Sequence, residues 1–208
     1  MTCKTTLAVY IAVVTGVALQ AQNPSLTKTK GNACASGFVL HAPVDVEREF
    51  IASGWMGDGE KGKQYLQMLP VSTEKPRPGD DNNLVTKVHY QGGGVGWAGV
   101  YWQWPANNWG DKPPKQIEGA SKVSFWAAGQ KGGEIVEFKA GGITGKSCQD
   151  SFEASLGKVA LARDWKRYEI PFRRSQSRLT VVGAFAWVAE SDANAGGITF
   201  YIDNIRYE

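Results

Sequence analysis

The stretch Gly96–Gly110, GWAGVYWQWPANNWG, holds four of the chain's eight tryptophans, Trp97, Trp102, Trp104 and Trp109. Its β-forming residues alternate strictly, so a strand over 97–104 puts Val100, Trp102 and Trp104 on one face. Trp97, Gly99, Tyr101 and Gln103 take the other. One face must meet a core, and the opposite face then carries large rings beside polar tips. Pro105 ends the strand, and Asn107 and Asn108 supply amide donors and acceptors in the loop that follows.

The same punctuation extends along the chain. Short β-forming runs, among them 84–90, 122–127, 134–140, 167–171, 180–188 and 197–207, are separated by Gly-Gly and Pro-Pro turns. No sustained helical stripe occurs, although 47–52 has the pattern of a single helical turn. Gly is 25 of 208 residues and Met only 3, a turn-laden composition that favours sheets over a helix bundle. About ten strands at this spacing predict an all-β, two-sheet antiparallel β-sandwich. Strands that do not alternate with helices exclude a doubly wound α/β fold. The formal charge of +3 is unclustered and gives no nucleic-acid footprint.

Residues 1–21 read as a signal peptide, with Lys4 before an apolar run from Leu7 to Leu19 and small residues at Ala18 and Ala21. The run is short for a membrane span. Residues 22–36 read as a flexible leader and 37–208 as one domain. Export, secreted or periplasmic, leaves Cys34 and Cys148 as an exposed-compartment pair that invites a disulfide, two free thiols being the alternative.

Rings flanked by amides and acids suit sugars, because a pyranose offers apolar C–H faces and a rim of hydroxyls. In 134–140, Glu137 and Lys139 share a face opposite Val136 and Phe138. In 122–127, Trp126 lies opposite Val123 and Phe125. Trp187, in Ala184–Glu190, is a further stacking platform. The predicted ligand face is therefore Tyr101, Gln103, Trp126, Glu137, Lys139 and Trp187, with Asn107 and Trp109 on a loop at its rim. Asp203 interrupts an apolar strand and needs a cation or basic partner, and Asp58 in the turn GWMGDG is a second oxygen donor. Nucleophile-elbow, zinc-protease and P-loop motifs are missing. A glycosidase would need only two carboxylates, which Glu134, Glu137, Asp150, Glu153 and Glu190 could supply.

The segments GWAGVYWQWPANNWG, KVSFWAAGQKGGEIVEFKAGG, DWKRYEIPF, GAFAWV and GGITFYIDNIRYE resemble the β-jelly-roll carbohydrate-binding domains of the galactose-binding-like superfamily. That resemblance spans about Gly54 to Glu208. It implies a jelly roll that binds a polysaccharide or oligosaccharide on a concave face, without catalysis, and a structural calcium with Asp203 among its ligands. A small jelly-roll hydrolase or lyase and an envelope protein-interaction module are the rival readings.

Overall fold

The computed structural model describes residues 34–35, 37–71, 74–79, 84–172 and 177–208. The signal peptide expected over 1–21 lies outside these residues, as does all of the expected leader except Cys34 and Ala35. No helix among the described residues is long and apolar enough to cross a membrane.

The chain forms a two-sheet β-sandwich of jelly-roll type. Strands β1 (Val39–His41) and β2 (Val44–Asp45) lead into a four-residue helix, α1 (Val46–Glu49), and then β3 (Ile51–Gly57) and a 3-10 turn (Asp58–Lys61). There follow β4 (Leu66–Val71), β5 (Val85–Tyr90), β6 (Trp97–Gln103), β7 (Lys115–Glu118), β8 (Lys122–Gly129) and β9 (Ile135–Gly141). The chain closes with β10 (Glu153–Ala160), β11 (Lys166–Pro171), β12 (Arg178–Val181), β13 (Gly183–Glu190) and β14 (Ile198–Tyr207). One sheet runs β10-β9-β13-β6-β3. The other runs β11-β8-β14-β5-β4, with β2 added beside β14, and a small third sheet runs β1-β7-β12.

Alternation decides what fills the space between the sheets. Val100 and Trp102 from β6, Val136 and Phe138 from β9, Phe185 and Trp187 from β13 and Val123 and Phe125 from β8 all point inward. The Phe125 ring lies 4.6 Å from Phe138 and 5.0 Å from Phe185, so one ring from the second sheet wedges between two from the first. Such aromatic packing buries large apolar areas and ties the sheets together.

Strands β2, β3 and β7 and most of β10 escape the sequence reading. Strand β3 is glycine-bearing (IASGWMG) and follows the helical turn, which ends at Glu49 rather than Ala52. Strands β7 and most of β10 are polar and poor in β-branched residues. The run 180–188 divides into β12 and β13 at Val182. Cys34, expected within a flexible leader, is joined to Cys148 by a disulfide.

Candidate functional site

The outer face of the five-stranded sheet is laid out in two transverse rows by strand register. One row reads Ser155, Lys139, Ala186, Tyr101 and Gly54, and the next Lys158, Glu137, Val188, Gly99 and Met56. Tyr101, Gln103, Glu137 and Lys139 therefore do share a face. The rest of the expected surface disperses. Trp187 points between the sheets with its ring edge against Phe200 at 5.2 Å and is fully buried. It shares the inward parity of Phe185, so it is core and not a sugar platform. Trp126 does point outward, but from β8 in the opposite sheet.

Access narrows the face further. Gln103 is sealed beneath β3, its amide lying over Gly54, where a Cβ would meet it at 2.7 Å. The Ser53 hydroxyl lies 3.3 Å from Gln103 Oε1, and Gln103 Nε2 has no partner among the described residues. Tyr101 is 8% exposed, and its hydroxyl donates to the Gly141 carbonyl at 3.1 Å. Glu137 accepts from the Ser155 hydroxyl at 2.8 Å, Lys139 pairs with Glu153 and Lys158 with Glu190. That side is a ladder of solvated ion pairs, each contributing little. The crevice beside Glu137 holds about 10 Å³, far too little for a sugar ring.

A larger space opens at the β3 edge of this sheet. Trp55, Ser53, Glu60, Lys63, Asn107 and Trp109 line a groove of about 520 Å³, within the size range of small-ligand sites. Both tryptophans are half-buried, and Asn107, Glu60 and Lys63 are exposed. Trp109 stands on the loop after β6. Asn108 builds that loop: its side-chain oxygen accepts from the N–H groups of Gly110, Asp111 and Lys112, and its amide donates to the carbonyls of Trp104 and Lys112. The Asn107 N–H donates to Ser53 Oγ at 3.0 Å, which fastens the loop to β3. The Cys148 N–H donates to the Gly110 carbonyl at 2.9 Å, so the disulfide anchors the segment beside Trp109.

The opposite bank is set by Asp58. Its carboxylate accepts from the Tyr90 hydroxyl and from the N–H groups of Gly93, Val95 and Gly96. Burial pushes this carboxyl up, but the Val95 N–H, the Tyr90 hydroxyl and the Gly93 and Gly96 N–H groups outweigh it and hold it below the usual range. Tyr90 is correspondingly pushed up to about 12, first by burial and then by Asp58. Asp58 is thus a structural acceptor that fixes the 3-10 turn carrying Glu60, and its oxygens are already committed.

Of the sequence-derived residues, the groove gathers Asn107 and Trp109. Trp55, Glu60 and Lys63 were not foreseen. The only signal for them was the aromatic and charged residues inside a glycine-rich run, GWMGDGEKGK.

Asp203 pairs with Arg77, both side chains largely shielded. No group of three or more His, Cys, Asp or Glu side chains able to hold a metal occurs among the described residues. Close by, Glu47 is exposed as a residue, and its carboxylate accepts from the Thr86 hydroxyl at 3.1 Å. Burial, with added repulsion from Asp203 and Asp45, pushes that carboxyl up to about 7 against the Thr86 hydroxyl and the Asn204 N–H. Two carboxylates and a hydroxyl suit calcium in kind, but backbone and water oxygens would have to complete its six to eight ligands.

No family model and no curated protein matches this chain. Among solved structures, the chain is similar to the family 11 carbohydrate-binding module of the cellulosomal cellulase Lic26A-Cel5E of Clostridium thermocellum. That module is 17% identical with a TM-score of 0.46, over 79% of this chain and 92% of the other. It is also similar to the family 30 module of the cellulosomal cellulase Cel9D-Cel44B of Clostridium thermocellum, 15% identical with a TM-score of 0.47, over 76% and 92%. A third is TmCBM61, solved with β-1,4-galactotriose, 16% identical with a TM-score of 0.44, over 77% and 93%. These solved structures are carbohydrate-binding modules.

Proposed function

We propose that this chain is an exported carbohydrate-binding protein that holds an oligosaccharide or a stretch of polysaccharide in the groove along β3. The observation that carries this is the pairing of two half-buried tryptophans, Trp55 and Trp109, across a space of about 520 Å³ rimmed by Asn107, Glu60 and Lys63. Apolar ring faces would take the C–H face of a pyranose, and the amide, carboxylate and ammonium tips its hydroxyls. The Ser53 hydroxyl, bonded to the Asn107 N–H, holds the loop in place for that contact. The disulfide fits an oxidising compartment.

Calcium belongs to the proposal at one place. Glu47, Asp203 and the Thr86 hydroxyl would hold it, with Asp203 exchanging its ion pair with Arg77 for the metal. Removing calcium with a chelator would then lower the melting temperature of the chain and not of Asp203→Asn.

The deciding experiment is a glycan array followed by calorimetry on the best binder, using the chain and its Trp109→Ala and Trp55→Ala variants. Saturable binding that both substitutions weaken about tenfold or more supports the groove. Binding unchanged in both variants, or no glycan bound at millimolar concentration, overturns the proposal.

A further inference from the structure

The opposite outer face, that of the six-stranded sheet, is crossed by a segment that the fold does not require. Strands β4 and β5 are antiparallel neighbours, which two to five residues could connect. The chain instead spends residues 72–84 on the connection. Its described portion reads Glu74-Lys75-Pro76-Arg77-Pro78-Gly79. A proline after Lys75 and another after Arg77 bias both residues to extended or polyproline backbone, so this piece is stiff before it docks.

The docking is residue by residue. The Lys75 ammonium stands 5.9 Å from the centre of the Tyr201 ring. The Trp165 indole N–H donates to the Pro76 carbonyl at 3.2 Å. The Arg77 guanidinium lies over Trp126 at 5.5 Å and pairs with Asp203. Glu74 pairs with Lys87 and accepts from the Tyr201 hydroxyl. Three rings from three places in the chain, β8, β14 and the loop before β11, thus read consecutive residues of one strap. Aromatic rings, an indole N–H aimed at a carbonyl next to proline and a carboxylate for the basic side chain are the chemistry by which folded domains take proline-containing segments.

The described residues of the strap, 74–79, leave part of this surface uncovered. Gln67, Lys87, His89, Gln130 and Thr199 line a space of about 400 Å³ that begins at Glu74. His89 commits Nδ1 to the Thr199 hydroxyl at 2.8 Å. A segment longer than the strap would gain contacts there that the strap does not make.

We propose that the face around Trp126, Trp165 and Tyr201 is a recognition surface for an extended, basic, proline-containing protein segment, which residues 74–79 occupy in cis. A tethered occupant acts at an effective concentration on the order of millimolar, so an outside segment binds only by outcompeting it. The surface lies on the sheet opposite the glycan groove and does not depend on that reading.

The test replaces residues 74–79 with a Gly-Ser sequence of equal length and titrates the labelled peptide STEKPRPGDD, residues 72–81, by fluorescence anisotropy. The replaced chain should bind it saturably, at least about tenfold more tightly than the intact chain. Trp165→Phe in the replaced chain, which removes only the indole N–H, should weaken binding several-fold, as should a peptide with its arginine changed to glutamine. Trp109→Ala should leave it unchanged. A folded replaced chain that binds no peptide at millimolar concentration, or binds no better than the intact chain, overturns the proposal. So does binding of a cationic chitosan oligosaccharide in place of the peptide. Should the replaced chain not fold, the intact Arg77→Gln variant decides: its weakened strap should admit the peptide several-fold more tightly, and equal binding refutes the idea.

Discussion

Tyr101 and Trp109 meet edge to face, ring centroids 6.0 Å apart and planes at 83°. Tyr101 is the buried partner, covered by Trp109, while Trp109 stays half-buried at the groove. One ring is therefore a support and the other a contact, although the sequence makes both look like contacts. Trp109→Ala should cost about 10- to 100-fold in glycan affinity, the usual penalty for truncating a tryptophan anchor. Tyr101→Phe keeps the supporting ring and loses only the bond to Gly141, so it should cost about 0.5–1.5 kcal/mol of stability with affinity nearly intact. Calorimetry and urea unfolding on the two variants separate the roles.

Trp187→Phe should leave glycan binding untouched. The ring is fully buried and its indole Nε1 has no partner among the described residues. Phenylalanine removes that orphan donor but leaves a small void, a balance of about 1–3 kcal/mol destabilising. A large loss of affinity without loss of stability would contradict the inward placement.

Reducing the Cys34–Cys148 bond, or Cys148→Ser, should lower stability by about 4–5 kcal/mol on the chain-entropy account. The bridge spans 114 residues of sequence. Because the Cys148 N–H holds the Gly110 carbonyl, glycan affinity should also fall. Denaturant unfolding with and without reductant measures the first effect, and calorimetry on the reduced protein the second.

Gly93→Ala should destabilise the groove's outer bank. A Cβ there would come within 2.5 Å of the Asp58 carboxylate. Relieving that clash breaks bonds to a buried acceptor, each worth about 1–3 kcal/mol when left unmade. A drop in melting temperature with weaker glycan binding is the expected pair of results. Asp58→Ala should reproduce both.

Acidic pH should stabilise the chain through Asp150. This carboxylate accepts from the N–H groups of Ile143, Val182 and Gly183, yet burial outweighs those donors and pushes it up to about 7. Its ordinary value is 3.8, so between about pH 4 and 7 the folded state binds the extra proton. Stability from this group is then greatest near pH 4, falls as pH rises towards 7 and levels above it. Glu47, pushed up to about 7, acts with the same sign in calcium-free buffer. Urea midpoints from pH 4 to 8 should show a shallower decline in Asp150→Asn than in the parent chain.

Much of the sandwich was legible because a strand has a period of two. The alternation in 97–104 separates Val100 and Trp102 from Tyr101 and Gln103, and that in 134–140 separates Phe138 from Glu137 and Lys139, as the structure has them. Strand β3 was illegible because its glycines and its place after a helical turn mask the pattern. With β3 unseen, Trp55 and the groove it borders were unseen too.

The sequence alone determined the all-β class, most strands and which residues share a face within each strand, since these follow from local backbone geometry. Only the tertiary structure decided that Trp126 and Tyr101 lie on opposite sheets, that Trp187 faces inward and that Trp55 and Trp109 line one groove. Those outcomes depend on which strands become neighbours and which face of each sheet meets the other. Burial of apolar area over the whole chain settles that choice, and no single strand's pattern contains it.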